Sequence, residues 1–445
     1  MTKSFCRTTA RRPGLSIAAE ISKVLPVGDF RSIFIKPNWV KHQESALFPI
    51  SALVTDTSLI DSTIRACLEK YPGVEDILVG DVPLQSCDWD LLVRQAGIDD
   101  LIRKYGSWHK PRIRFMDLRR ERVRDRGGFL ASDPAFADGD PAGYREVVLD
   151  ERSFLEPISG DRERFRVSDY DPQETISSHR RGRHRYIVSG SVLGSDLFIN
   201  LPKMKTHQKA GITGALKNVV GITGQKSCLV HHRLGGDEFA PDTNLLVRAQ
   251  IRIREYLQKR SRHVFSVARA LWRPLRRLSG IETEGTRANL GKRMYVGAGS
   301  WYGNDTIWRM VYDLNLIVRY APSAGGVLSD IAQRGYVVIL DGGIAGEGNG
   351  PLQPLPVETG VVAMANDPFL LDFVMARWMG YDYRKIPTLN HFNLFPDPDW
   401  AKFDPASVDI DVDGRVYRGI ESLPVLHPFI PPPGWRGHVE KTDVE

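Results

Sequence analysis

The chain has 445 residues, 42% hydrophobic and 26% charged, which excludes collagen-like, mucin-like and wholly disordered classes. The length allows two to four domains, or one large α/β body with insertions. Net charge is +6, but residues 101–126 hold ten Lys/Arg against three acids and residues 248–277 hold ten against one. The basicity is therefore local, and the rest of the chain is acidic. No zinc-finger spacing or RNP-type aromatic motif accompanies it, which disfavours nucleic acid. No apolar run approaches the ~18 residues of a membrane span. Arg11 and Arg12 are followed by Glu20 and Lys23, so the start lacks the apolar heart of an export signal and a cytoplasmic location is expected.

Four segments share one design in chain order: residues 32–38 (SIFIKPN), 76–81 (DILVGD), 196–202 (DLFINLP) and 336–342 (YVVILDG). Each is a continuous apolar run that ends in polar residues, as strands covered on both faces do. The expected fold class is α/β, a mainly parallel sheet flanked by helices. Ligands of such sheets collect beyond the carboxyl ends of strands, where Lys36, Asn38, Asp81, Asn200, Lys203 and Asp341 fall. Thr55 or Asp56 opens a helix with Leu59, Ile60, Ile64, Cys67 and Leu68 on one face, and Asp367 with Pro368 opens another that stops at Gly380. The expected organisation is an α/β half over 1–118, a charged insertion over 119–185 with little secondary structure, a second α/β half over 186–390, and an extended tail over 391–445. Residues 245–273 read as basic amphipathic helices, suited to packing on the body or, at 245–277, to an acidic partner or an anionic membrane surface.

The densest chemistry lies in residues 200–218, NLPKMKTHQKAGITGALKN. An extended chain after Pro202 puts Lys203, Lys205 and His207 on one face, a cluster that suits a phosphate, a carboxylate or proton transfer. Gly214 is expected to open a helix whose free N–H groups meet the same anion, with Lys217 and Asn218 one turn on. The bland alternative is a surface lysine run before a packing helix. Residues 341–351, DGGIAGEGNGP, read as a glycine-rich loop. Its Asp341 and Glu347, with Asp81 from a neighbouring strand end, are candidate ligands of a divalent metal, and Asn349 is a candidate substrate contact. The alternative is a tight loop that bonds its own backbone. His231 and His232 are adjacent, which is poor spacing for chelation on a strand.

Residues 201–207 (LPKMKTH), 214–221 (GALKNVVG), 301–308 (WYGNDTIW), 341–351 and 372–380 together resemble the family catalogued as domain of unknown function 362. The resemblance implies matching positions at Lys203, Lys205, His207, Lys217, Asn218, Asp341, Glu347, Asn349 and Asp372. Many members of that family look like fusions to a ferredoxin-type module with [4Fe-4S] clusters. Here Cys6, Cys67, Cys87 and Cys228 form no C-x-x-C pair, so no iron-sulfur cluster is expected.

Two functions fit these residues. One is an enzyme acting on an anionic small molecule, with Lys203, Lys205 and His207 catalytic, Lys36, Asn38, Gly214, Lys217, Asn218 and Asn349 binding substrate, and metal at the three acids. The other is a non-catalytic ligand- or partner-binding accessory protein using the same basic site. No G-x-G-x-x-G follows a strand, which disfavours a standard dinucleotide fold. The cysteine spacing generates one test: anaerobically purified protein is expected to be colourless, and blue absorption with stoichiometric iron and sulfide would overturn that expectation.

Overall fold

The structure is a computed structural model that describes residues 6–10, 16–122, 135–136, 138–167, 170, 172–241, 243, 245, 248–249, 252 and 297–441. The basic stretch expected to form helices over 245–273 therefore lies almost wholly outside the described residues, as does its continuation to 277. Among the described residues, no helix is long and apolar enough to cross a membrane.

The expected strand segments all enter one sheet. Its strands are β1 (Cys6–Ala10), β2 (Ser32–Pro37), β3 (Asp76–Asp81), β4 (Arg112–Asp117), β5 (Leu197–Leu201), β6 (Lys203–His207), β7 (Gly211–Ile212), β8 (Gly335–Asn349), β9 (Gln353–Ala365), β10 (Asp409–Val412) and β11 (Arg415–Arg418). The order is β11-β10-β1-β9-β8-β5-β2-β3-β4, with β6 paired to β8 and β7. From β8 through β5, β2 and β3 to β4 every pairing is parallel. Both faces of this half are covered, which explains the continuous apolar runs. Ile33, Ile35, Ile77, Val79, Leu197 and Ile199 share a core with helices α1 (Ile17–Val24) and α2 (Thr57–Lys70). The alternate positions Phe34, Leu78, Phe198 and Val338 face a second core. Helix α3 (Gly214–Asn218), α4 (Ile307–Tyr320) and α5 (Pro368–Trp378) pack there. Asp56 caps α2, accepting from Ser58 N–H at 2.7 Å, and Asp367 caps α5 through Phe369 N–H at 2.8 Å.

Three expectations are corrected. Residues 341–349 are not a loop: they continue β8 and pair antiparallel with β9 across a bulge near Gly342. Their glycines permit close packing, since a side chain at Gly346 would crowd Lys205 and the Ala52 carbonyl. The described part of 119–185 is structured, with Tyr144–Leu149 and Arg183–Ser189 paired antiparallel in a separate small sheet. The tail is not merely extended, because β10 joins the main sheet beside β1 and turns back as β11.

Pro202 interrupts β5 without ending its course. Beyond it β6 continues along β8, Lys203 opposite Asp341 and, after a shift of register, Lys205 opposite Gly346, and the Asp341 N–H bonds the Pro202 carbonyl at 2.9 Å. Asp341, fully buried, accepts from Lys203 Nζ at 2.8 Å, from Asp56 N–H at 2.8 Å and from Gly343 N–H at 3.1 Å. This carboxylate ties β6, β8 and the start of α2 together. Asp341, expected as a candidate metal ligand, is thereby also a tie of the fold. Asp341→Ala is expected to cost about 3–5 kcal/mol, because it leaves the Lys203 ammonium buried without its charge partner. The joint change Lys203→Met with Asp341→Leu should recover most of that loss. Guanidinium unfolding checks both, and an unshifted midpoint for Asp341→Ala would overturn the assignment.

Candidate functional site

The sheet changes winding direction at β2 and β5: the chain proceeds from β2 outward to β3 and β4, whereas β5 and β8 lie on the other side of β2. Crevices at the carboxyl ends of such switch points are the usual ligand sites of open sheets. Here the floor is a buried polar network. Asn38 Nδ2 donates to Asn218 Oδ1 at 2.7 Å, Asn218 Nδ2 to Asn200 Oδ1 at 2.7 Å, and Asn200 Nδ2 to the Ala215 carbonyl and Tyr336 hydroxyl, each at 2.9 Å. The Asn38 N–H donates to Thr55 Oγ1, whose hydroxyl donates to the Leu201 carbonyl. Lys36 Nζ lies 2.7 Å from Asp81 Oδ1, both buried, and Asp81 Oδ2 accepts from Trp39 N–H at 2.6 Å. Three of the expected substrate contacts, Lys36, Asn38 and Asn218, are thus converging but mostly occupied with one another.

Gly214 has φ +55°, and a side chain there would overlap the carboxylate of Asp372. That carboxylate accepts from the N–H groups of Ala215 at 2.6 Å and Leu216 at 3.0 Å. The anion at the start of α3 is therefore the protein's own Asp372, which corrects the expectation that these N–H groups await a ligand. Burial raises the Asp372 carboxyl to about 7, although both N–H bonds oppose the shift.

The cations form the distinctive part. Lys203, Lys205 and His207 project from one face of β6 as the two-residue period requires, and all three are buried. Lys203 is paired with Asp341 and so ties β6 to β8. Lys205, wholly buried, donates to the Leu53 carbonyl at 2.6 Å. Burial chiefly, then Lys203, Lys217 and Lys36, hold it well below the usual lysine range, with Asp81 opposing. His207 Nδ1 accepts from the N–H groups of Lys209 at 3.0 Å and Ala210 at 3.3 Å. The ring proton consequently sits on Nε2, where it is available to donate. Burial and the charges of Lys217, Lys209 and Lys205 hold His207 neutral, well below the ordinary histidine value.

Lys217 differs from the other lysines. It is 8% exposed and among the described residues has no hydrogen-bond or ion-pair partner. Burial, then Lys226 and Lys209, lower it to about 7. Among the described residues Lys226 donates only to the Val220 carbonyl, at 3.4 Å, and burial chiefly brings it to about 8, with Asp81 opposing and Lys36 and Arg119 assisting. His231 belongs to the same group: burial, Lys209, Lys217 and His207 all depress it. The adjacent His232 is 1% exposed with neither ring nitrogen bonded. Lys209, Lys226 and His231 escaped the sequence reading as site members, and their nearness to the lysine strand end along the chain was the available signal.

The three acids expected to hold a metal are not gathered. Asp81 and Asp341 are engaged as described, while Glu347 accepts from Ile430 N–H at 2.8 Å with His427 at 3.7 Å. Asn349 is bonded to Gln208 and Gln353 at the far end of β8. Among the described residues no three His, Cys, Asp or Glu side chains group as metal ligands. Nor do the cysteines share an element: Cys6 is in β1, Cys67 in α2, Cys87 in the irregular segment before residue 89, and Cys228 at the end of a short 3-10 helix over Lys226–Cys228.

The model of the family described as domain of unknown function (DUF362) matches residues 133–377. No curated protein matches the chain.

Gly221 lies against the Lys36 and Asp81 pair, and a Cβ there would overlap Asp81 Oδ1 and lie 2.6 Å from Lys36 Nζ. Gly221→Ala is expected to destabilise by about 1–3 kcal/mol through overpacking of a buried ion pair. Thermal and urea unfolding measure it, and an unchanged stability would mean that the loop yields freely.

Proposed function

We propose that this chain, which belongs to the DUF362 family, is a cytoplasmic enzyme that binds and transforms an anionic small molecule, carboxylated or phosphorylated, at the basic cluster of Lys217, Lys226, Lys209 and His207. The observation that carries this reading is Lys217, an almost wholly buried ammonium without a partner among the described residues, set beside further cations. Such a gathering is electrostatically costly unless an anion offsets it or a proton leaves. Lys203 and Lys36 have carboxylates opposite them. Among the described residues neither Lys217 nor Lys226 forms an ion pair, and Asp81, already paired with Lys36, acts on Lys226 only through its charge, so an external anion is the natural complement.

The chemistry follows from the protonation states. Protonated Lys217 and Lys226 hold the anion through charge-assisted hydrogen bonds. The Nε2–H of His207 donates to an oxygen on which charge develops. A lysine brought to about 7 can also carry a proton to or from the bound molecule near neutral pH. The asparagine network, bonded throughout at 2.7–2.9 Å, keeps the floor rigid while these groups exchange protons.

Sulfate is a suitable probe because its charge is constant around neutrality. Its affinity is expected to fall as pH rises through about 7, since the free protein then loses the Lys217 proton that the bound anion requires. Lys217→Met should weaken sulfate by roughly 10- to 100-fold, the worth of one hydrogen bond to a charged group. Calorimetry at low salt reads both effects. Absence of sulfate, phosphate and carboxylate binding at pH 6 would remove the reading altogether.

A further inference from the structure

We infer that Lys217 is an amine nucleophile toward a short oxo acid: its Nζ condenses with the carbonyl to form an imine, Lys226 and Lys209 hold the carboxylate, and the His207 Nε2–H serves the carbonyl oxygen. This deepens the anion reading and rests on it.

Elimination among the lysines of the cluster singles out the residue. Lys203 faces Asp341, Lys36 faces Asp81, Lys205 donates to Leu53, Lys226 to the Val220 carbonyl and the half-buried Lys209 to the Ala298 carbonyl. Each is held by a partner that a reacting amine would have to abandon. Lys217 alone of this set has no partner among the described residues, and its 8% exposure leaves it reachable where Lys205 at 0% is closed off. A nucleophilic lysine must also be free of its proton, and neighbouring cations in a desolvated site supply that condition. Lys226 and Lys209 do so here, and burial adds to them.

The step balances without any oxidant or reductant. The Nζ lone pair forms the N–C bond while the carbonyl π pair moves to oxygen, which takes a proton. The resulting carbinolamine loses that oxygen as water, and both amine hydrogens end on the water released. His207 suits the relay because backbone N–H groups fix its Nδ1 as an acceptor and leave the hydrogen on Nε2. It donates to the oxygen and recovers a proton from nitrogen, with no net change. Carboxylated substrates follow from the same cluster, because the ammonium of Lys226, which bonds only one carbonyl at 3.4 Å, retains donors for an oxygen pair.

The test uses the full chain with pyruvate as probe and cyanoborohydride as the trap, read by intact mass and peptide mapping. One reduced adduct per chain on the peptide that carries Lys217 is expected. At pH 7 the free-amine fraction there exceeds that of an ordinary lysine by roughly 10³-fold, so surface lysines should lag far behind. Lactate, a carboxylate without the carbonyl, should compete, and Lys217→Arg, checked for native circular dichroism, should abolish the adduct while still binding sulfate. Adducts scattered over surface lysines, or none while sulfate and lactate bind, overturn the imine and leave the anion site standing. Failure of sulfate and lactate to bind as well would overturn both.

Discussion

Asp341 is the constraint on which the arrangement depends. A strand that meets a proline normally loses its neighbour, yet β6 stays alongside β8 after Pro202 because the buried Asp341 carboxylate grips Lys203 across the pair and the start of α2 from the next layer. Once Lys203 is held, the two-residue period sends Lys205 and His207 to the same face. The β6 and β7 hairpin then returns the chain so that α3 begins almost directly, and Lys217 comes back toward His207. The strand that this ion pair holds thus carries Lys205 and His207 and leads back to Lys217.

The lysines divide into two populations by what opposes them. Lys203 and Lys36 meet carboxylates and contribute to the fold, each as a buried pair whose desolvation is offset by charge and by further hydrogen bonds. Among the described residues Lys217 and Lys226 form no ion pair, and burial chiefly, with neighbouring cations, depresses their proton affinity while Asp81 opposes the shift at Lys226. The same sheet end therefore contains both ion-paired and unpaired lysines. Asp372 sharpens the contrast: it occupies the start of α3, so the proposed anion would be met by side chains rather than by the helix terminus.

Much of the frame was legible because its signals are local. Continuous apolar runs marked β2, β3 and β5, and Asp56 and Asp367 announced their helices through side chains placed one residue before the first turn. The face shared by Lys203, Lys205 and His207 followed from strand periodicity alone. What escaped depends on contacts between distant residues. The glycines of 341–350 look like a loop in sequence, but they are small because Lys205, Thr206 and Pro354 pack against them in a long hairpin. Asp341 read as a ligand because nothing nearby in sequence shows its partner, which lies 138 residues earlier. Asp372 likewise caps a helix 157 residues before it. A carboxylate's role is decided by what it faces, and composition does not report that.

This distinction also separates a count of charges along the chain from the charge that a buried site presents. The two runs richest in Lys/Arg, 101–126 and 248–277, contain several residues on exposed surface where the structure describes them. Arg103 and Arg112 there pair with exposed or half-exposed acids in contacts that water screens heavily. The segment 203–226 holds fewer cations, yet burial removes the screening and lets each depress the next. The potential that an incoming anion meets is set by charges that solvent cannot reach and acids do not oppose. By that measure the sparse cluster around Lys217, rather than a count of Lys/Arg, is the ground for the proposed anion site, because its buried charges form no ion pair among the described residues.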